Sequence, residues 1–221
     1  MVKSLIVDLD LKGGLVIVVG GGGEALKKIN SLLTQDCKIL VLSDKLNMQI
    51  QKFVSKNKIE FKKIKLSNAN FLSKYKPYLV MATTDNRELN RKIVYQSKKM
   101  GCLAYAADDP DVSDFAHPSV INIADTVQIA ISTGGRSPAM ARKIKLKAEK
   151  IFKKIVNKED IYQIKLQQIA RNMAKKKIST QKERKKFLYS VLNDEKIKQL
   201  IKDDKFQKAQ NRAMLLLRKW K

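Results

Sequence analysis

A run of branched apolar residues, Leu15-Val16-Ile17-Val18-Val19, stops abruptly at four glycines, Gly20 to Gly23. Glu24 and Ala25 follow, and then Leu26, Ile29, Leu32 and Leu33 recur at helical spacing. Strand, glycine turn, helix is the opening of a dinucleotide-binding βαβ unit. In that pattern Gly20 permits the tight turn, Gly22 lets backbone approach a pyrophosphate, and the small Ala25 lets helix and strand pack closely. The N–H groups at the helix start, with the positive end of its dipole, suit phosphates. A glycine-rich turn also serves βαβ units that bind nothing, so the next element matters. Cys37 to Leu42 reads as a second strand, and Asp44 lies just past it, 24 positions after Gly20. That is near where a carboxylate that hydrogen-bonds an adenosine ribose is expected. A carboxylate there repels a 2′-phosphate and favours NAD over NADP, a preference that the adjacent Lys45 weakens.

The same grammar continues. Ser4 to Leu11 suggests a short edge strand and Lys45 to Lys56 an amphipathic helix. Ile59 to Ile64 alternates like a half-exposed strand, and Tyr78 to Thr83 reads as a buried one. Thr84-Asp85-Asn86 caps a helix running to Lys99, and Cys102 to Ala107 is the next strand. Strands alternating with helices imply a parallel, doubly wound sheet. Near residue 113 the pattern changes to two strands joined by a tight turn, Val120–Ala124 and Val127–Ser132. Ser137 and Pro138 then open a long helix. Beyond it the chain reads almost wholly as helix, with Thr180 to Glu183 matching a capping box. The expected architecture is an α/β, Rossmann-like parallel-sheet domain (1–112), a small α+β segment (113–150) and an all-helical C-terminal domain (151–221).

Charge is the other constraint. The net charge is +25, and it is uneven: residues 1–112 hold 19 Lys/Arg against 11 Asp/Glu, residues 113–221 hold 27 against 10. Such a balance suits nucleic acid, a polyanionic small molecule, or simply a lysine-rich solvated surface. Composition does not choose among them. No apolar run is long enough to span a bilayer, and acidic residues interrupt the apolar N-terminus, which argues against a signal peptide or anchor. Two cysteines, Cys37 and Cys102, fall on expected buried strands without a C-x-x-C pattern, which suits a reducing compartment, the cytoplasm by default.

In an open parallel sheet, ligands bind at the carboxyl ends of strands. Four features converge there: the Gly20–Glu24 turn, Asp44, Thr83-Thr84-Asp85, and Asp108-Asp109. The first three would line a cofactor. The last would set a carboxylate where a substrate carbon loses its proton. Asp109-Pro110 also reads as an ordinary turn, and Asp114 as a cap or ion-pair partner. The sole histidine, His117, has no partner for a metal site and reads as structural or surface. The chain has no Cys/His cluster and no Ser/His/Asp set. Two glycines, an arginine and hydroxyls in Thr133-Gly134-Gly135-Arg136-Ser137 precede a helix, a composition suited to anions.

Taken together these segments resemble the precorrin-2 dehydrogenases, the sirohaem-synthase N-terminal type. The matching residues are Val19-Gly20-Gly21-Gly22, Ala25 and Lys28; Ala82-Thr83-Thr84-Asp85 with Leu89-Asn90; Asp108, Phe115 and Pro118; and Ile131 to Pro138 with Ala141-Arg142. The Gly-Gly-Arg-Ser-Pro element is the most distinctive of them. The resemblance implies NAD-dependent oxidation of precorrin-2 to sirohydrochlorin, with Fe²⁺ insertion as a second activity in some members. It implies a homodimer formed through the central segment. It puts the important aspartate on Asp108, cofactor positions on Gly23, Glu24, Asp44 and Lys45, and substrate contacts on Thr133 to Ser137. Precorrin-2 carries many carboxylates, so Arg136, Arg142 and nearby lysines would attract it. The sequence departs from the pattern at Tyr105, where an asparagine is common, and at Gly23 and Glu24. The competing reading is a non-catalytic Rossmann protein that senses nucleotides or binds nucleic acid, an idea the basic helical half supports.

Overall fold

The computed structural model describes residues 5–220. It divides into two compact units, Met1–His117 and Pro118–Lys221. In the first, β1 (Leu15–Val19), α1 (Gly23–Leu32), β2 (Lys38–Ser43), α2 (Met48–Ser55), β3 (Glu60–Lys63), β4 (Leu79–Ala82), α3 (Arg87–Lys99) and β5 (Leu103–Ala106) follow in order. All neighbours pair parallel, in the order β3-β2-β1-β4-β5. The central strand β1 is covered on both faces, which is why its sequence is an unbroken apolar run. Ile17 and Val19 join Leu40, Leu42, Val80 and Ile93 beneath α3. Val16 and Val18 join Ala25, Ile29 and Ile50 beneath α1 and α2. A 3₁₀ turn, Asn70–Lys74, carries the chain to β4 and buries Phe71 and Leu72.

The strand expected at Ser4 to Leu11 is absent over its described part, residues 5–11. Leu9 packs on the α1-side core and Leu11 is buried, while Leu5, Ile6 and Val7 are exposed. Asp10 accepts the Lys12 N–H at 3.0 Å, so the carboxylate makes a local turn instead of a ladder. Cys37 and Cys102 are free and lie just before β2 and β5, half-buried instead of within the strands.

After β5 the chain folds back along that strand's outer edge. Asp114 Oδ2 accepts the Ala104 N–H and Ser113 Oγ accepts the Ala106 N–H, both at 2.9 Å, and Asp114 also pairs with Lys98 at 2.8 Å. In the second unit, β6 (Ser119–Ile123) and β7 (Val127–Ile131) form an antiparallel hairpin. Ala124 and Asp125 turn it, both with φ near +50°. The long helix α4 (Pro138–Ile155), capped by Ser137, packs on the hairpin. Helices α5 (Lys158–Lys177), α6 (Gln181–Asn193), α7 (Glu195–Lys202) and α8 (Phe206–Arg218) share a core around Leu166, Phe187 and Ile197. The reciprocal capping box forms at Asn157 and Asp160, before α5. At Thr180 only half of one forms, because the Glu183 side chain pairs with Lys186. No helix among the described residues is long and apolar enough to cross a membrane.

Candidate functional site

At the carboxyl ends of β1, β2 and β4 lies a cavity of about 640 Å³. Gly20, Gly21 and Gly22 form one wall, Asp44 and Lys45 a second, and Thr83, Thr84 and Asp85 a third. The glycines do different jobs. Gly20 has φ +116°, and a Cβ there would lie 2.6 Å from the Thr83 carbonyl oxygen. A Cβ on Gly21 would lie 2.0 Å from the Lys45 carbonyl oxygen, because the turn packs against the loop after β2. Its own carbonyl accepts the Asn47 N–H at 2.8 Å. A Cβ on Gly22 would meet nothing within 4 Å, so that glycine leaves room on the open side. Gly22 is also the N-cap of α1 and brings no side-chain acceptor to the first turn. Those amide donors and the helix dipole therefore face the cavity's glycine wall, an arrangement that fits a pyrophosphate. Gly23 and Glu24 are exposed and do not line the cavity. Asn47 and Lys65 also line it, and sequence reasoning gave them no role; Gly21 lines it as part of the expected glycine turn, with a packing task that the sequence did not single out. A run of four glycines does not say which one backbone will crowd.

Asp108 and Asp109 part company. Asp109 is 2% exposed and bonds Arg91 at 2.7 Å and Arg87 at 3.4 Å. The Arg91 hydrogen bond above all holds its carboxyl below the usual range. Asp108 is exposed and accepts one hydrogen bond, from Asn90 Nδ2 at 2.9 Å. Asn90 itself is fully buried. Its Oδ1 accepts from Thr84 Oγ1 at 2.6 Å and from the Thr84 N–H at 3.1 Å, and its Nδ2 also donates to the Thr84 carbonyl at 2.9 Å. Asp108 is not part of the cavity wall, but one amide connects it to a residue that is. Removing that amide leaves Thr84 with unmet donors. Asn90→Ala is expected to cost about 1–3 kcal/mol of stability, measured by urea unfolding.

A second cluster stands beside Asp108. Tyr105 on β5 stacks on Phe115 with centroids 5.5 Å apart, meets His117 edge-on at 4.9 Å, and carries Lys28 Nζ 4.4 Å above its ring. Burial, then the charges of Glu24 and Asp108, raise the Tyr105 hydroxyl above its ordinary pKa. Burial lowers the Lys28 amine. Burial and the nearby Lys28 push His117 down to about 4. His117 is thus a ring-packing residue in a cationic corner, neutral near pH 7. Its stabilising contribution is complete above pH 6.5. It is lost as pH falls toward 4, because the unfolded chain takes up a proton that the folded ring resists. An NMR titration should show the His117 midpoint below 6.5, and His117→Phe should flatten the pH dependence of stability between 4 and 6.5.

In the second unit, Gly134 and Gly135 adopt φ of 61° and 78° ahead of α4. The Gly134 N–H donates to Ser132 Oγ, the Ser137 N–H to Thr133 Oγ1, and the Arg136 N–H to the Thr133 carbonyl. With these donors committed internally, the loop offers an anion its side chains more than its backbone.

Residues 7–119 match a family model described as putative NAD(P)-binding, and residues 125–147 match one described as sirohaem biosynthesis protein, central. The siroheme synthase of Nitrosococcus oceani is 32% identical over 144 residues, covering 65% of this chain and 30% of that protein. That of Actinobacillus succinogenes is 29% identical over 215 residues, covering 95% and 42%. The chain thus spans less than half the length of these curated relatives. The solved structure of SirC, a precorrin-2 dehydrogenase, superposes with a TM-score of 0.67 at 18% identity, covering 98% of this chain and 100% of that one, which is a likeness of fold. A glycine wall, an uncapped helix start and a matching family model agree on a nicotinamide dinucleotide as cofactor. The chain belongs to the family whose model is described as putative NAD(P)-binding.

Proposed function

We propose that this chain is an enzyme that oxidises precorrin-2 to sirohydrochlorin with NAD, a step of sirohaem biosynthesis. The observation that carries the reading is the Thr84–Asn90–Asp108 connection, which ties an exposed carboxylate to the cofactor cavity. When bound, the dinucleotide supplies the hydride acceptor. Gly20, Gly21 and Gly22 with the start of α1 hold its pyrophosphate. Asp44 accepts the ribose hydroxyls and disfavours a 2′-phosphate, although Lys45 and Lys65 share the cavity. Thr83, Thr84 and Asp85 bound its inner side. Gly23 and Glu24 lie past the cavity rim, so their contribution is to the helix start and to the charge near Tyr105. Asp108, steadied by Asn90, takes the proton that the substrate carbon releases as hydride leaves. Thr133, Arg136 and Ser137 hold substrate carboxylates through their side chains, Gly134 and Gly135 shape the turn that presents them, and the basic surface draws a polycarboxylate in.

The test is direct. Precorrin-2 with NAD should generate NADH absorbance, with NADP a poorer substitute. No NADH, together with DNA or RNA affinity that falls steeply with salt, would favour the binding reading instead. Incubating sirohydrochlorin with Fe²⁺ and no dinucleotide reads out metal insertion separately.

We further infer a homodimer formed through residues 113–150, between a cofactor domain (1–112) and a helical domain (151–221). On α4, Met140 and Ile144 within that segment, and Ile151 and Ile155 just past its end, recur at heptad-like spacing and are 46%, 42%, 57% and 60% exposed. Light scattering should give twice the chain mass, and Ile144→Glu should halve it. The two half-buried free thiols support a reducing, cytoplasmic setting.

A further inference from the structure

The helical unit contains a site that the proposed reaction does not use. Between α5 and α6 lies a groove of about 590 Å³. Arg171 and Lys175 reach it from α5, Arg184 and Lys185 from α6, and no carboxylate lines it. Like charges gathered around one hollow repel each other, and the usual remedy is a neighbouring acid. Here Arg171, Lys175 and Lys185 make no ion pair among the described residues, whereas Lys186, one position on, pairs with Glu183 at 2.8 Å. Arg184 is already oriented, because its Nη1 donates to the Ile178 and Ser179 carbonyls at 2.9 and 2.8 Å. A held guanidinium loses little freedom on meeting an anion.

The lining between these cations is apolar. Ala174 is fully buried, Leu188 is half-buried, and Leu192 and Tyr189 are 37% and 54% exposed. Lys185 Nζ stands 5.9 Å from the Tyr189 ring centroid. A bare phosphate would engage the rim and leave this apolar surface wet. A flat hydrophobic body with acidic groups around its edge satisfies both parts at once.

We propose that the α5–α6 groove binds a planar macrocycle bearing several carboxylates. This choice of ligand class rests on the function proposed above, but the site is a second one, outside the cofactor unit. Arg171, Arg184 and Lys185 take the peripheral carboxylates, and Leu188 and Tyr189 take the ring face.

The probe is uroporphyrin, an octacarboxylate that undergoes no dehydrogenation, titrated into the full chain and followed by its fluorescence. The variant Arg171→Glu/Lys185→Glu should bind at least tenfold more weakly than wild type. A control with the same change in net charge, Lys52→Glu/Lys56→Glu on and just after α2, should stay within about threefold. Circular dichroism of both verifies folding, and Arg171→Lys/Lys185→Arg should restore affinity. Equal binding by variant and control overturns the site, since attraction would then be a matter of net charge alone. If precorrin-2 is oxidised while uroporphyrin ignores the groove variant, only this inference fails. If uroporphyrin binds the groove and no precorrin-2 is oxidised, only the proposed reaction fails.

Discussion

Asp108→Asn is expected to lower kcat for precorrin-2 oxidation by about 10²- to 10⁴-fold, the usual worth of a positioned general base. The substitution is close to isosteric, and an asparagine oxygen can still accept the Asn90 amide proton, so the local geometry survives. What disappears is the capacity to take a proton. Because Asp108 lies outside the cavity wall, the dissociation constant for NAD should hold within about twofold. The neighbouring Asp109→Asn should do the reverse. It leaves Arg87 and Arg91 short of their shared carboxylate, so the midpoint of denaturant unfolding falls while turnover per folded molecule persists. Steady-state kinetics and urea titration on the two variants separate the roles. Similar kcat losses in both would mean that the pair acts as a unit.

Gly21→Ala should disrupt the glycine wall with a single methyl. Its Cβ would sit 2.0 Å from a backbone oxygen, the Lys45 carbonyl, which no rotamer change relieves. Either the turn or the loop after β2 must move. Overpacking of this kind costs about 1–3 kcal/mol, and displacing the cavity wall should weaken NAD by at least tenfold. Gly22→Ala and Gly23→Ala make the controls. Neither Cβ meets anything within 4 Å. Gly23 begins α1, so alanine there should be neutral or slightly stabilising. Gly22→Ala should fold normally yet bind NAD less well, since it crowds only the ligand side. Thermal unfolding with and without NAD distinguishes all three.

The contrast among these glycines shows what the sequence could and could not reveal. Period and composition were enough to place β1, α1, β2, β4, α3 and β5, because each buries a continuous apolar run or a clear helical face. The hairpin and the Ser137 cap were equally legible, since turn and cap residues act locally. The Ser4–Leu11 segment misled, because alternation alone does not show whether a ladder partner is free. Which glycine matters for shape, and that Asn90 joins Thr84 to Asp108, depend on contacts between distant parts of the chain. Asn90 stood within a recognisable segment, yet only its burial and four hydrogen bonds reveal its task. The splitting of Asp108 from Asp109 likewise hinges on two arginines from α3.

The backfolded Ser113-Asp114 segment has a consequence for assembly. Amides that β5 would otherwise show to solvent are taken by a hydroxyl and a carboxylate of its own chain. Another polypeptide cannot lengthen the sheet on that flank without first evicting them. At high concentration, then, such molecules resist polymerising strand to strand along this margin, and regulated association is left to other surfaces.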